Sequence, residues 1–284
     1  MKLTFALIYD FDGTLCPGSM QDGTIIPKTG LTSDAFWQTV EAERDRVQGD
    51  ATLTYMRVLL DLVRSAGYDM TWENLIRLGA GITLFKGVEG FFERVNSLVR
   101  EFCPAAEVRH YIVSSGLKEL ILGCPIAAKF DNIFACEYHY GEDGRADFPK
   151  FCINSTDKTQ YIFRINKGLE GQERGLHAYM EPELRPVPLS NMIYIGDGMT
   201  DIPCMKIIRQ HGGSAFSVYN PLDAVSTAIR DKLIVDNRVD GSYEADYSAD
   251  SGIESAVLDA VKSKIIASYP GGFACPENLE AYKI

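Results

Sequence analysis

No run of apolar residues in this 284-residue chain reaches the length a helix needs to cross a bilayer. The opening stretch Leu3–Tyr9 is mostly apolar, but it is short, is stopped by Asp10, and lacks the small-residue cleavage pattern of a signal peptide. A cytoplasmic protein with no membrane partner is therefore expected. Cysteine is sparse: the seven residues at 16, 103, 124, 136, 152, 204 and 275 are odd in number and show no Cys-x-x-Cys pairing. That excludes a zinc ribbon and a disulfide framework and leaves reduced thiols, most of them buried filler. Histidine is scarcer still, and the four at 110, 139, 177 and 211 have no mutual spacing of metal ligands. Positive charge is in deficit, 28 basic against 39 acidic residues, for a formal net charge of −11. A field of that sign repels nucleic acid and anionic lipid, so neither is an expected partner. Any anion the protein binds must be held by local groups.

What is present is a substantial apolar content, 46% of residues, enough for one large domain or two of unequal size. Three short apolar runs each end in a polar cluster: Leu7-Ile8-Tyr9 before Asp10, Tyr111-Ile112-Val113 before Ser114, and Ile193-Tyr194-Ile195 before Gly196. Such runs suit strands covered on both faces, as in a parallel α/β sheet. Ala215–Tyr219 and Leu233–Val235 are two further strand candidates. Between the first and second polar clusters the apolar residues recur at helical spacing. Phe36, Trp37 and Val40 form one set, and Tyr55, Val58, Leu59, Leu62 and Val63 another, with Gly67 as C-cap and Thr71 as the next N-cap. Residues 17–84 read as a small helical insert, in which Arg44, Arg46 and Arg57 are basic groups on a solvated face. A strong helix follows Gly87, another is predicted near 116–122, and a further one starts near Asp157. Residues 134–140 lead into a turn at 141–144, and residues 169–190, rich in Glu and Pro, read as a loop-like insertion.

A strand ending in Asp10-Phe11-Asp12 sends two carboxylates to the same side of the chain at the carboxyl edge of the sheet, where open α/β folds bind ligands. Gly13 lets the backbone turn sharply. Asp197 and Asp201 bring two more acids to the same edge, and several carboxylates facing one pocket call for a hard divalent cation, most economically Mg2+. Ser114-Ser115-Gly116, between a strand and a helix, offers hydroxyls and backbone N–H groups at a positive helix terminus, which is how an acidic protein can hold a phosphate. Ser115 also reads as a plain N-cap.

These pieces, in this order, resemble the haloacid dehalogenase-like superfamily, whose four motifs match as Asp10-Phe11-Asp12-Gly13-Thr14, Val113-Ser114-Ser115-Gly116, Lys158, and Gly196-Asp197-Gly198-Met199-Thr200-Asp201. The resemblance covers most of the chain. It implies an α/β fold, a doubly wound parallel (Rossmann-like) core over residues 1–16 and 85–284 with a type 1 helical cap over 17–84. It implies Asp10 as the nucleophile that forms an aspartyl-phosphate, and Asp12 as the group that protonates the leaving alcohol and then activates water. Magnesium would lie on the Asp10 carboxylate, the Asp12 backbone carbonyl and the Asp197 carboxylate, with Asp201 behind them or as an occasional ligand. Ser114 and Lys158 would hold the phosphoryl oxygens, with Gly13, Thr14, Ser115 and Gly116 around the same phosphate. Lys158 is preferred to Lys150 for the third motif because Ser155-Thr156-Asp157 reads as a helix cap there. The last motif is most like the phosphoserine-phosphatase branch. The implied activity is a magnesium-dependent phosphomonoester hydrolase acting on a small phosphorylated metabolite. A sugar-phosphate mutase of the same superfamily and a non-catalytic phosphate- or partner-binding protein are the alternatives. Dehalogenating members lack the second aspartate, whereas Asp12 is present here.

Overall fold

The structure, a computed structural model, describes residues 3–171 and 175–268. Strand β1 (Leu3–Tyr9) has no polar side chain after Thr4, and Phe5 through Tyr9 are completely buried. Successive side chains of a strand point to opposite faces, so this burial requires cover on both faces of the sheet. Three helices follow: α1 (Ser33–Val47), α2 (Ala51–Ser65) and α3 (Trp72–Gly79). Each is opened by a side-chain cap, Thr32 on the N–H of Ala35, Asp50 on that of Leu53 and Thr71 on that of Asn74. Then come α4 (Val88–Phe102), β2 (Ala106–Leu117), α5 (Lys118–Gly123), β3 (Asn132–Tyr140), β4 (Ala146–Phe151) and α6 (Lys158–Lys167). The chain continues through β5 (Met192–Gly196), α7 (Ile202–Gln210), β6 (Ser214–Tyr219), α8 (Ala224–Val235), β7 (Gly241–Glu244) and α9 (Gly252–Ala267).

The seven strands form one sheet in the order β4-β3-β2-β1-β5-β6-β7, parallel except for β4, which runs antiparallel to β3. The α/β class with a mostly parallel sheet is thus as the sequence implies. The chain leaves β1 for β2 on one side and later returns to place β5 on the other. This reversal opens a crevice at the carboxyl ends of β1, β2 and β5. The core is continuous through the sheet, and Tyr9 anchors an aromatic cluster with Phe91, Phe92 and Phe130 at centroid distances of 5.6–6.4 Å. Helix α3 crosses α5 backbone to backbone: a Cβ on Gly79 would lie 2.0 Å from the Leu120 carbonyl oxygen, and one on Gly123 would lie 1.9 Å from that of Ile76. No side chain larger than hydrogen fits at either position.

Three expectations are corrected. Leu233–Val235 is the last turn of α8, not a strand; the sheet is completed instead by β7, whose Gly-Ser-Tyr-Glu sequence is too polar and short to announce itself. Ser114-Ser115-Gly116 belongs to the irregular end of β2, and the helix begins only at Lys118 after Leu117, so Ser115 caps nothing. Ser155-Thr156-Asp157 supplies no cap to α6; Asn154 Oδ1 accepts from the backbone N–H groups of Thr156 and Asp157. The six cysteines among the described residues are free thiols, and Cys275 lies outside those residues.

Candidate active site

At the end of β1 the Asp10 N–H still bonds to the Ile195 carbonyl at 2.9 Å, so β5 fixes the point where the chain leaves the sheet. The Phe11 carbonyl then accepts from the N–H groups of Thr14, Leu15 and Cys16, winding the next residues into a tight turn. Gly13 sits in the left-handed region at φ +70°, and a Cβ there would lie 2.2 Å from Asp197 Oδ2. A side chain at this position would strain the backbone and displace Asp197 together. The neighbouring Thr14 hydroxyl donates to Asp197 Oδ1 at 3.3 Å, and the Thr14 carbonyl accepts from the buried Tyr247 hydroxyl at 2.8 Å. Asp12 turns the other way, its Oδ1 accepting from the Met20 N–H at 2.7 Å.

Lys158, the first residue of α6, is completely buried. Its ammonium reaches Asp10 Oδ2 at 2.8 Å and Asp201 Oδ1 at 2.7 Å. Asp201 is itself fully buried, its Oδ1 also accepting from the Tyr194 hydroxyl at 2.7 Å and its Oδ2 from the Gly198 N–H at 3.2 Å. Lys150 stands elsewhere, paired with Glu137 at 2.5 Å on β3. On the β2 side the buried Ser114 hydroxyl accepts from the Gly116 N–H at 3.0 Å. Ser114 and Ser115 line one cleft of about 610 Å³ with Asp10, Asp12 and Asp197. The structure therefore brings Asp10, Asp12, Ser114, Ser115, Asp197 and Lys158 to one place. Gly13, Thr14, Gly116 and Asp201 form the turn, strand end and floor beneath them.

Burial pushes the Asp10 carboxyl up to about 6, with Lys158 opposing the rise and Asp201 adding to it. Burial and the Asp10 charge push Asp12 up to about 7, and burial with the charges of Asp201 and Asp10 raises Asp197 well above the usual carboxylate range. For Lys158 burial alone would lower the ammonium, but the charges of Asp10 and Asp201 outweigh it and hold the proton more tightly than usual. Four carboxylates thus stand together with a single ammonium that bonds only Asp10 and Asp201, an arrangement that disfavours full ionisation unless another cation enters. Oxygens of Asp10, Asp197 and Asp201 lie within 4.8 Å of one another. An all-oxygen, anionic donor set of this kind fits a hard divalent cation such as Mg2+. Asp10 and Asp201 each have both oxygens engaged by protein donors, Asp10 through the Phe11 N–H at 2.7 Å and Lys158 at 2.8 Å, but only Asp10 and Asp197 of the three line the cleft.

Several residues at this cleft were not singled out from the sequence. Tyr194 and Tyr247 are completely buried beneath the site, and the partners of their hydroxyls emerge only from the fold. Asp50 and Asn154 line the outer cleft and bond to each other through Asn154 Nδ2 at 3.3 Å. Asp50 carried a usable signal, an acid immediately before an apolar helical period, but that signal reports a cap. Arg44, Arg46 and Arg57 pair with Asp45, Glu43 and Asp61 on the surface and do not line the cleft.

A Rossmann-like sheet with an Asp-x-Asp turn at its switch point, a buried lysine behind it and further acids on the adjacent strand end is a doubly wound α/β fold with an acidic site at its carboxyl edge. A model of the haloacid dehalogenase-like hydrolase family matches residues 7–206, and the chain belongs to that family. An uncharacterized protein from Borreliella burgdorferi is 29% identical over 260 residues, which cover 82% of this chain and 88% of that one. Among solved structures, a HAD family hydrolase from Salmonella enterica subsp. enterica serovar Typhi superposes with a TM-score of 0.58 at 15% identity, covering 90% of this chain and 71% of that one. A substrate-bound phosphoserine phosphatase gives a TM-score of 0.51 at 16% identity, covering 85% and 93%. At these identities the structural likeness speaks for the fold alone. Among the described residues no helix is long and apolar enough to cross a membrane.

Proposed function

We propose that the protein is a magnesium-dependent phosphomonoester hydrolase that works through an aspartyl-phosphate on Asp10. The observation that carries this reading is the position of Lys158, buried between Asp10 and Asp201 with its ammonium bonded to both. A carboxylate held by a buried cation at the open end of a strand is oriented to attack, while the same cation can offset charge that builds on the phosphoryl oxygens. Mg2+ on Asp10 and Asp197, with the Asp12 carbonyl as a further ligand, would supply additional neutralisation of the phosphoryl charge.

In this reading Asp10 displaces the alcohol from phosphorus, and the leaving oxygen takes the proton of Asp12. Asp12 then accepts a proton from the water that cleaves the acyl-phosphate, restoring the Asp10 carboxylate and the protonated Asp12 and releasing phosphate. Ser114, through its hydroxyl, and the N–H groups of Asp12 and Ser115 would hold the phosphoryl oxygens, while the N–H groups of Asp10, Phe11, Gly13, Thr14 and Gly116 are engaged within the protein and shape the turn and strand end around them. Asp201 holds Lys158 and the Gly196–Gly198 loop in place. Residues 17–84 would act as a cap domain over the core of 1–16 and 85–284, since the start of α2 lines the cleft opposite Asp10. The substrate would be a small phosphorylated metabolite, in keeping with the cleft volume. The test is covalent trapping. Rapid acid quench of enzyme turning over an aryl phosphate should leave a phosphorylated peptide containing Asp10, and its absence under conditions of steady phosphate release would overturn the assignment of Asp10.

A further inference from the structure

The outer half of the cleft is formed by Asp50, Ala51 and Thr52 at the start of α2 and by Asn154, Ser155 and Thr156 ahead of α6. The charged side chains lining the cleft are Asp10, Asp12, Asp50 and Asp197, and no lysine, arginine or histidine among the described residues lines it. Lys158 lies beneath its floor, committed to Asp10 and Asp201. In the reading above, Asp10, Asp12, Asp197, Lys158 and the metal are all engaged at the phosphoryl end. What remains for the leaving group is Asp50, a set of neutral hydroxyls and the apolar patches of Ala51, Met199 and Ile229.

We propose that the cleft takes phosphomonoesters whose leaving group carries a cationic nitrogen, that is, phosphorylated amino alcohols, with Asp50 as the carboxylate that selects them. This rests on the phosphatase reading and deepens it. Asp50 lines the outer cleft, and its carboxylate is held in place from two sides. Its Oδ1 accepts from the Leu53 N–H at 2.8 Å and its Oδ2 from Asn154 Nδ2 at 3.3 Å. Helix α2 is in turn pinned to the phosphate side of the cleft by the Tyr55 hydroxyl, which donates to the Ser115 carbonyl at 2.8 Å. The positive end of α2 does not reverse the sign, because a helix terminus amounts to about half a charge against the full charge of Asp50. The N–H groups of Leu53 and Thr54 are also already taken by Asp50 itself. A carboxylate on the leaving group would therefore meet Asp50 and find no cation in the lining, whereas an ammonium would find a counter-charge and its methylenes an apolar wall.

The experiment measures phosphate release with Mg2+ from phosphoethanolamine, glycerol 2-phosphate and 3-phosphoglycerate, which place a cation, a neutral polyol and an anion on the leaving group. The expected kcat/KM falls in that order, phosphoethanolamine exceeding 3-phosphoglycerate by about tenfold or more. Asp50→Asn keeps an N-cap oxygen for α2, so the helix content read by circular dichroism should hold. The phosphoethanolamine to glycerol 2-phosphate ratio should drop in this variant, chiefly through a raised KM, and Asp50→Lys should turn the preference toward 3-phosphoglycerate. Equal or better turnover of 3-phosphoglycerate by the wild-type enzyme overturns the proposal while leaving the phosphatase reading intact. So does a substrate ratio unmoved by Asp50→Asn. Phosphate release from none of the three esters nor from an aryl phosphate would overturn both.

Discussion

Among the described residues, acids gather around Asp10 at the carboxyl edge of the sheet and, between α5 and the β3–β4 hairpin, around Glu119. In the second group each acid has its own arrangement. Glu137 pairs with Lys150 at 2.5 Å and Lys118 at 3.4 Å. Glu119 is completely buried, and its Oε1 accepts from the Tyr138 N–H at 2.9 Å and the Tyr140 hydroxyl at 2.8 Å while its Oε2 has no partner. Burial raises the Glu119 pKa against the pull of those donors, which suits a carboxyl serving as a packed hydrogen-bonding group. In the first group two carboxylates, Asp10 and Asp201, bond one ammonium, and Asp10 opens with Asp12 and Asp197 onto a cleft that no further cation among the described residues lines. Burial is common to both. What separates a reactive acid from a structural one is an uncompensated excess of charge facing solvent, which calls for a cation and a substrate to complete it.

That contrast can be broken most forcefully at the nucleophile. Asp10→Asn should reduce phosphate release by about 10⁴–10⁶-fold with the fold retained, whereas Glu119→Gln should leave turnover unchanged. Comparable losses in the two variants would erase the distinction. Asp12→Asn should lose about 10²–10⁴-fold in rate, as expected when an acid–base group is removed, and near-normal turnover would remove Asp12 from proton transfer. Metal linkage should show next: Mg2+ at a hundred times its Kd should stabilise the wild-type protein by about 2.7 kcal/mol, read as a higher melting temperature that a chelator reverses. Asp197→Asn should abolish that shift, and in metal-free buffer it should melt above wild type because one repelling charge is gone. The smallest effect concerns Glu119 and pH. Its folded-state pKa is raised, so in the wild type stability present at low pH is lost as pH climbs from the unfolded carboxyl value through the folded one. Glu119→Gln does not titrate, so urea unfolding should find the variant close to wild type near pH 4 and more stable than wild type at pH 8. A pH-independent difference between them would place the charge of Glu119 elsewhere.

The residues proposed to be catalytic were legible because they stand in short strings at strand ends. Asp10-x-Asp12 and Gly196-Asp197 follow apolar triplets that only a doubly covered strand explains, and Gly13 is the residue a left-handed turn demands. Lys158 was recoverable from the order of elements, though for a wrong local reason, since Asn154 and not the Ser155–Asp157 triplet opens α6. The misses share one cause. Leu233–Val235 is apolar for the length of a strand, but α8 had already begun at Ala224, and a three-residue run does not reveal its period. β7 borrows its place from β6 through backbone pairing, with little apolar signal of its own. The long-range hydroxyl bonds of Tyr55, Tyr194 and Tyr247 depend on distances that no local pattern encodes.

The ammonium of Lys158 joins the end of β1 to the loop after β5, elements far apart in the order of synthesis. A nascent chain that has delivered Asp10 but not yet Asp201 holds a buried lysine's partners only in part, and it has no floor for its nucleophile. In the proposed function, hydrolytic competence therefore waits for the loop after β5. Its appearance during translation would time the docking of β5 beside β1 more sharply than any spectroscopic measure of helix content.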